Sequence, residues 1–289
     1  MMKGKKNKTK IKPLKEQKDK GTKDYKIYGV RREEDLNILG DRVLPRPLET
    51  MLEKGGGCVM ISASPSSGKS NLISNWYLRD DFFKDLFQGG LFLISPTAQN
   101  DLTSQHFVKY CDMVETNYSE ALVEGIFDML MEVPKEEKQL SSLVLDDCMG
   151  ALKINTFMSK FSSTVRHLRN LLVFSTQACK SLPPNIRSNT SHSVVFHQPS
   201  TKQLNDLIEL HAFMGGEDLW TQMYEEATAK KYGFLLNDFR DMKVYKWGGD
   251  LPEPIEIWSK YDENGNLNKQ VKVGGEEGGE VKPIPDQNK

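Results

Sequence analysis

Eight consecutive residues, Ala63-Ser64-Pro65-Ser66-Ser67-Gly68-Lys69-Ser70, have the types and spacing of a phosphate-binding loop. They follow G-x-x-x-x-G-K-[ST], with Ala63 in place of the first glycine. This chemistry needs a strand that ends in a loop whose backbone amides wrap a phosphate chain. It also needs a helix whose first amides and dipole face the same anion. Gly68 permits close backbone approach, Lys69 reaches the β- and γ-phosphates, and Ser70 offers its hydroxyl to Mg²⁺. The expected nucleotide-binding residues are Ser64, Pro65, Ser66, Ser67, Gly68, Lys69, Ser70 and Asn71, with ATP and Mg²⁺ as the cofactors. Ala63 closes the strand, where a small residue suffices if φ stays negative. A Gly-Lys-Ser triplet also arises by chance in Ser-rich turns. Here an apolar run precedes it and an amphipathic helical pattern follows it, and that context separates the two readings.

A second motif, Leu143-Val144-Leu145-Asp146-Asp147, would deliver two acids to the carboxyl end of a buried strand. Alone it could be an ordinary strand-end turn. Paired with the upstream loop, it gives Asp146 as a Mg²⁺ ligand with Ser70, and Asp147 as the group that orients or deprotonates the attacking water. A third run, residues 171–175, ends in Thr176-Gln177. If its strand lies beside the Asp146 strand, the Gln177 amide can donate to the γ-phosphate and accept from water. Arg187, in the polar stretch 180–191, is the candidate arginine finger offered to a neighbouring subunit. Arg166 is the alternative, and with Arg169 it could instead contact a neighbour or DNA. Catalysis is thus assigned to Lys69, Asp146, Asp147, Gln177 and Arg187. The histidines lack metal spacing, with His192 and His197 expected on opposite faces of a strand. None of Cys58, Cys111, Cys148 and Cys179 stands in a C-x-x-C pair, so they read as reduced thiols of an intracellular protein.

These side chains need a scaffold. Residues 58–63, 91–95, 143–145, 171–175 and 193–196 are short continuous apolar runs, as expected of central parallel strands covered on both faces. Helical patterns lie between them. Leu72, Ile73, Trp76 and Tyr77 share one face of a helix that starts at Lys69, and residues 118–132 and 155–168 have helix length. Ser200 and Gln203 form a capping box for a helix after Pro199. Another helix is expected over 217–229, and a hairpin over 234–236 and 244–247. The expected fold is α/β: a P-loop NTPase with a mostly parallel central sheet, helices on both faces, a C-terminal hairpin and disordered termini.

The 289 residues carry a net charge of −1, unevenly spread. Residues 1–26 hold eleven lysines against Glu16, Asp19 and Asp24, a net +8, which leaves −9 on the remainder. Residues 1–24 therefore read as a basic disordered arm, 25–260 as the ATPase domain, and 261–289 as a Gly/Glu-rich disordered tail. The arm could bind nucleic acid by neutralising phosphates, or serve as a solvated tail or a localisation signal. No apolar run approaches the roughly 20 residues that span a bilayer, and the Lys-rich start has no apolar stretch of the secretory kind, so no membrane partner is expected.

In this order, the loop 64–70, the strand 143–147, Arg166-His167 ahead of Phe174-Ser175-Thr176-Gln177, and Ile186-Arg187-Ser188-Asn189 before Val194-Val195-Phe196 resemble the viral genome-packaging ATPases of the HerA/FtsK class. The similarity is to the poxvirus-like type of large DNA viruses, virophages and related elements, and it covers about residues 45–250. Two departures are Ala63 for Gly, and Asp147 where many relatives of the wider class carry Glu. The resemblance implies a homo-oligomeric ring, a hexamer, that translocates double-stranded DNA into a preformed capsid. It implies capsid proteins as partners, and a place in the host cytoplasm or viral factory, or with the virion. The competing reading is a nucleotide-binding switch, or another P-loop ATPase without DNA translocation. A small-molecule kinase would need a substrate lid that the sequence does not show. A motor-nuclease would need a further domain with an acidic metal cluster after Asp250.

Overall fold

The computed structural model describes residues 42–148, 150, 152 and 157–268. The basic arm, and the Gly/Glu-rich tail beyond residue 268, lie outside the described residues.

Every residue of β1 (Cys58–Ser62), β2 (Leu91–Ile94), β4 (Ser141–Asp146) and β5 (Asn170–Thr176) is buried. A strand without alternation has apolar cover on both faces, and β1 shows how that cover divides. Cys58 and Met60 enter one core, and Val59 and Ile61 enter the other. The first core is closed by α4 (Glu120–Glu132), α5 (Phe157–Leu168), α7 (Thr201–His211) and α8 (Glu217–Thr228). The second is closed by α1 (Arg46–Leu52), α2 (Lys69–Leu78) and α3 (Gln105–Tyr110).

Tertiary packing makes these helices. In α5, Ser159, Ser162, Ser163 and Thr164 are weak helix formers, each costing a few tenths of a kcal/mol relative to alanine. Met158, Phe161, Val165 and Leu168 recur at helical spacing and are all buried. At roughly 1.5–3 kcal/mol per buried side chain, that stripe wins. α7 starts with the Ser200 side chain accepting from the Gln203 amide, one half of the expected capping box.

Among the described residues the strands form one sheet in the order β3-β2-β4-β5-β1-β6-β7-β8-β9, where β3 is Met113–Glu115 and β6 is His192–Phe196. The first six are parallel. β7 (Gly233–Asp238), β8 (Lys243–Gly248) and β9 (Leu251–Ser259) extend the sheet antiparallel. The expected hairpin is β7–β8, and β9 extends it. β9 contains Pro252 and Pro254, and it tolerates them at the sheet edge, where one side needs no ladder donors. No helix among the described residues is long and apolar enough to cross a membrane.

One buried group makes the fold sensitive to pH. His211 stacks on Trp220 with ring centroids 4.9 Å apart. Its Nδ1 donates to the Leu207 carbonyl at 2.7 Å, and its Nε2 accepts from the Ser193 hydroxyl at 2.9 Å. This arrangement needs a neutral ring, and burial pulls the imidazole down to about 4. Between about 4 and the unfolded value near 6.5, the unfolded chain binds a proton that the folded chain refuses. The His211 contribution is therefore complete above pH 6.5. It falls away toward pH 4 by up to about 1.4 kcal/mol per pH unit. Urea midpoints of the native chain and His211→Gln are expected to converge as pH falls through this window. Parallel curves would show that His211 does not titrate on unfolding.

Candidate functional site

β1 runs into the loop through Ala63, which is fully buried and donates its amide to Thr176 O at 2.9 Å. Ala63 is absent from the residues with positive φ, so its backbone makes no demand for glycine. The loop then folds on itself, with the Ser67 amide and hydroxyl both donating to Ser64 O at 3.3 and 2.7 Å. Ser66 (φ 60°) and Gly68 (φ 104°) take left-handed conformations. A Cβ on Gly68 would also stand 3.0 Å from the Tyr232 ring. Gly68 caps α2 without a side chain, so the first-turn amides keep their donors for an anion at the positive end of the helix dipole.

Lys69 extends from that helix start to the acids of β4. Its Nζ lies 3.4 Å from Asp146 Oδ1 and contacts Asp147 Oδ2. Its side chain is only 11% exposed. Neither approach has hydrogen-bond alignment, so charge rather than directed bonding holds the cluster. β5 stands between the two motifs, pairing Ser62 with Thr176 on one side and Asp146 with Ser175 on the other. Two strand spacings, about 10 Å, separate β1 from β4. The long lysine stem spans that gap.

Ser70 and Asp146 line one small cavity with Ser95. Asp146 Oδ2 accepts from Ser95 Oγ at 3.4 Å, and its Oδ1 is buried with no hydrogen-bond donor. A carboxylate oxygen that faces the Lys69 ammonium without a hydrogen bond, in a cavity lined also by Ser70, suits Mg²⁺, which takes one or two carboxylates and completes its shell with water and phosphate oxygens. The residues present therefore fit the ion. Among the described residues no group of three or more His, Cys, Asp or Glu could hold a metal unaided.

Gln177 follows β5 by one residue and is exposed at the same carboxyl edge as the loop. Arg187 differs from expectation in its setting. It occupies the last turn of a short helix, α6 (Pro184–Ser188), rather than an open loop at the carboxyl edge. Pro184 takes the helix start, where its missing N–H costs nothing. α6 lies on the connection that returns to the amino end of β6, and Ser191, four residues on, already donates to Cys58 O. The Arg187 Nε is buried without an acceptor. Arg166 is exposed at the end of α5, and its carbonyl packs 2.8 Å from where a Cβ on Gly55 would be, at the amino ends of β1 and β5. Arg169 donates to Lys138 O. All four cysteines are free thiols. His192 is buried in β6, and His197 is exposed beyond it.

Three residues near the loop escaped the sequence reading. Ser95 meets Asp146 because β2 pairs with β4. Asp101 accepts from the Thr103 amide and the Ser104 and Ser70 hydroxyls. Burial pushes its carboxyl up, but these donors hold it below its usual range. Tyr232 lies against Gly68 from the α8–β7 turn. Asp101 had a faint signal, since Asp-x-Thr-Ser before a helix is turn chemistry. Ser95 depends on strand order, and Tyr232 on a turn with positive φ.

The chain matches no family model and no curated protein. Its fold does match solved structures. Against the genome packaging NTPase B204 from Sulfolobus turreted icosahedral virus 2 in complex with AMP, identity is 14%, covering 68% of this chain and 98% of that one, with a TM-score of 0.50. The same protein with ATP-gammaS gives 15% identity, 68% and 99% coverage and a TM-score of 0.49. The pCW3 conjugation coupling protein TcpA gives 12% identity, 69% and 59% coverage and a TM-score of 0.43. The chain therefore shares the fold of the packaging NTPase B204.

Proposed function

We propose that this chain is an ATP-hydrolysing motor that translocates double-stranded DNA, and that its task is to package a viral genome into a capsid. The observation that carries the ATPase reading is Lys69 facing both Asp146 and Asp147 across β5. In this reading Ser64, Pro65, Ser66, Ser67, Gly68, Lys69, Ser70 and Asn71 bind the nucleotide. Lys69 exchanges the two acids for the β- and γ-phosphates. Ser70 and Asp146 would hold Mg²⁺, which when bound neutralises charge on the phosphate oxygens. Asp147 orients or deprotonates the attacking water, and Gln177 bridges that water and the γ-phosphate.

The DNA reading is supported by the shared fold with the packaging NTPase, and by the +8 charge on residues 1–26. The sequence resemblance implies a ring of identical subunits, and six is the number it implies. Arg187 is proposed as the finger presented to the neighbour, because it lies on the polar stretch 180–191 that follows the Gln177 strand. Capsid proteins are the further partners proposed. The host cytoplasm, the viral factory or the virion is the proposed place of action.

Lys69→Ala is expected to abolish ATP turnover without changing the melting temperature by more than a few degrees. Duplex DNA is expected to raise the wild-type rate several-fold at low salt. A wild-type rate indifferent to DNA would favour a nucleotide switch instead.

Asp147→Asn is expected to bind Mg-ATP and hydrolyse it at least a hundredfold more slowly. Asn is also at ease in the left-handed conformation that Asp147 adopts, so the backbone should stay in place. Asp146→Asn should additionally shift the magnesium dependence to higher concentration. Exchanged phenotypes would reverse the two roles.

Arg187→Ala is expected to lower kcat by roughly 10³-fold or more while ATP affinity stays near the native value. An Arg187→Ala subunit keeps an intact phosphate loop, and a Lys69→Ala subunit keeps an intact finger. Mixed rings should therefore recover activity that both variants lack alone. Mixed rings that form yet stay inactive would remove Arg187 from the site.

A further inference from the structure

The α8–β7 turn builds a second wall against the phosphate loop that the triphosphate chemistry does not use. A cavity of about 240 Å³ opens between residues 64–67 of the loop and Lys230, Lys231 and Tyr232 of the turn. Its floor is the end of β6, where Ser64 Oγ donates to His197 O at 3.1 Å. The volume is below the roughly 300–1,000 Å³ of a site that encloses a drug-sized ligand, so it suits part of a nucleotide rather than the whole.

Tyr232 is the unusual member of this wall. Its φ is 67°, a left-handed conformation in which a bulky side chain is a strained outlier. The surroundings hold it there. Gly233 closes the turn by donating to Lys230 O at 3.0 Å, and the missing side chain of Gly248 leaves room for the Tyr232 carbonyl. The conformation lays the ring against Gly68 yet leaves the residue 48% exposed, which a ring serving only as packing would not need. Lys231 Nζ stands 4.8 Å from the ring centroid. A flexible, exposed lysine therefore covers a π-face that solvent can reach. An exposed cation–π contact holds it only weakly. Stacking of a nucleobase on an aromatic ring contributes about 1–3 kcal/mol, enough to displace it.

We infer that Tyr232 is the stacking platform for the base of the bound nucleoside triphosphate, and that the cavity between residues 64–67 and the α8–β7 turn is the base subsite. This rests on the nucleotide-binding reading of the phosphate loop. A stacking contact carries no hydrogen-bond code for one base, so ATP and GTP should bind comparably. UTP, with a smaller ring, should bind more weakly.

The test compares ATP with inorganic tripolyphosphate, which carries the same phosphate chain and no base. Each competes with a fluorescent ATP analogue on the full-length chain. Tyr232→Asn removes the ring and keeps a residue that tolerates positive φ. Tyr232→Phe keeps the ring, and a thermal melt of each variant confirms folding. Tyr232→Asn is expected to weaken ATP about 5- to 140-fold, the stacking energy expressed as a ratio of affinities. It should leave tripolyphosphate within twofold, and Tyr232→Phe should bind both like the native chain. Parallel weakening of ATP and tripolyphosphate would show that Tyr232 only braces the loop, and unchanged ATP affinity would place the base elsewhere. Either result overturns the proposal while the phosphate site stands. Failure of tripolyphosphate to bind the native chain, or equal binding by Lys69→Ala, would instead remove the nucleotide reading underneath it.

Discussion

The parallel pairing of β1 with β5 and of β5 with β4 is the constraint on which the site depends. Ser62 sits opposite Thr176, and Asp146 opposite Ser175, so three strands end along one edge. A one-residue slip in either pairing would turn every side chain of a strand to the other face. Both faces are covered by separate apolar cores, so such a slip would exchange the residues of β1 between them. The apolar cores therefore fix the register, and the register carries Lys69, the acids and Gln177 to a common edge. Their mutual distance follows from burial that has nothing to do with phosphate.

The opposite end of the sheet is pinned just as firmly, by polar contacts. Arg240 donates to the carbonyls of Thr50, Glu53 and Gly56, so one guanidinium gathers the lead-in to β1 against the β7–β8 turn. Gly56, at φ 109°, lies where a Cβ would come 2.2 Å from Asn170 O, which lets the lead-in touch the start of β5. Nearby, Thr50 Oγ1 donates to Asp238 at 2.7 Å and meets His192 Nε2 at 2.9 Å, all out of solvent. Burial pulls the His192 imidazole down despite the Asp238 carboxylate beside it. A strand anchored this way at its amino end delivers its carboxyl-end loop with little play, as a preorganised anion site requires.

How much of this was legible in sequence depends on where each signal lives. The runs that became β1, β2, β4, β5 and β6 were visible because full burial on both faces leaves continuous apolar stretches. β9 was not, because an edge strand half open to solvent mixes polar residues with Pro252 and Pro254. β3 has three residues and α6 five, too few for a period to emerge. The Pro183-Pro184 pair reads as a loop, although proline at the first helical position is ordinary. The phosphate loop was legible because its chemistry is local. Ser95 and Tyr232 were not, since Ser95 gains its place only when β2 meets β4, and Tyr232 only when its turn takes positive φ.

The acidic pair shows the same limit at atomic scale. Adjacent residues on a strand point to opposite faces, so Asp146 and Asp147 could not both meet one ammonium if β4 simply continued. β4 ends at Asp146, and Asp147 turns to φ 53° while its amide still donates to Ser175 O at 3.1 Å. That left-handed step breaks the alternation and brings the second carboxylate round to Lys69. Asp is among the few residues that enter this region readily, because its short side chain can bond locally. A longer glutamate at position 147 would meet the same backbone at greater cost. The shorter acid in this chain is therefore matched to the turn that aims it.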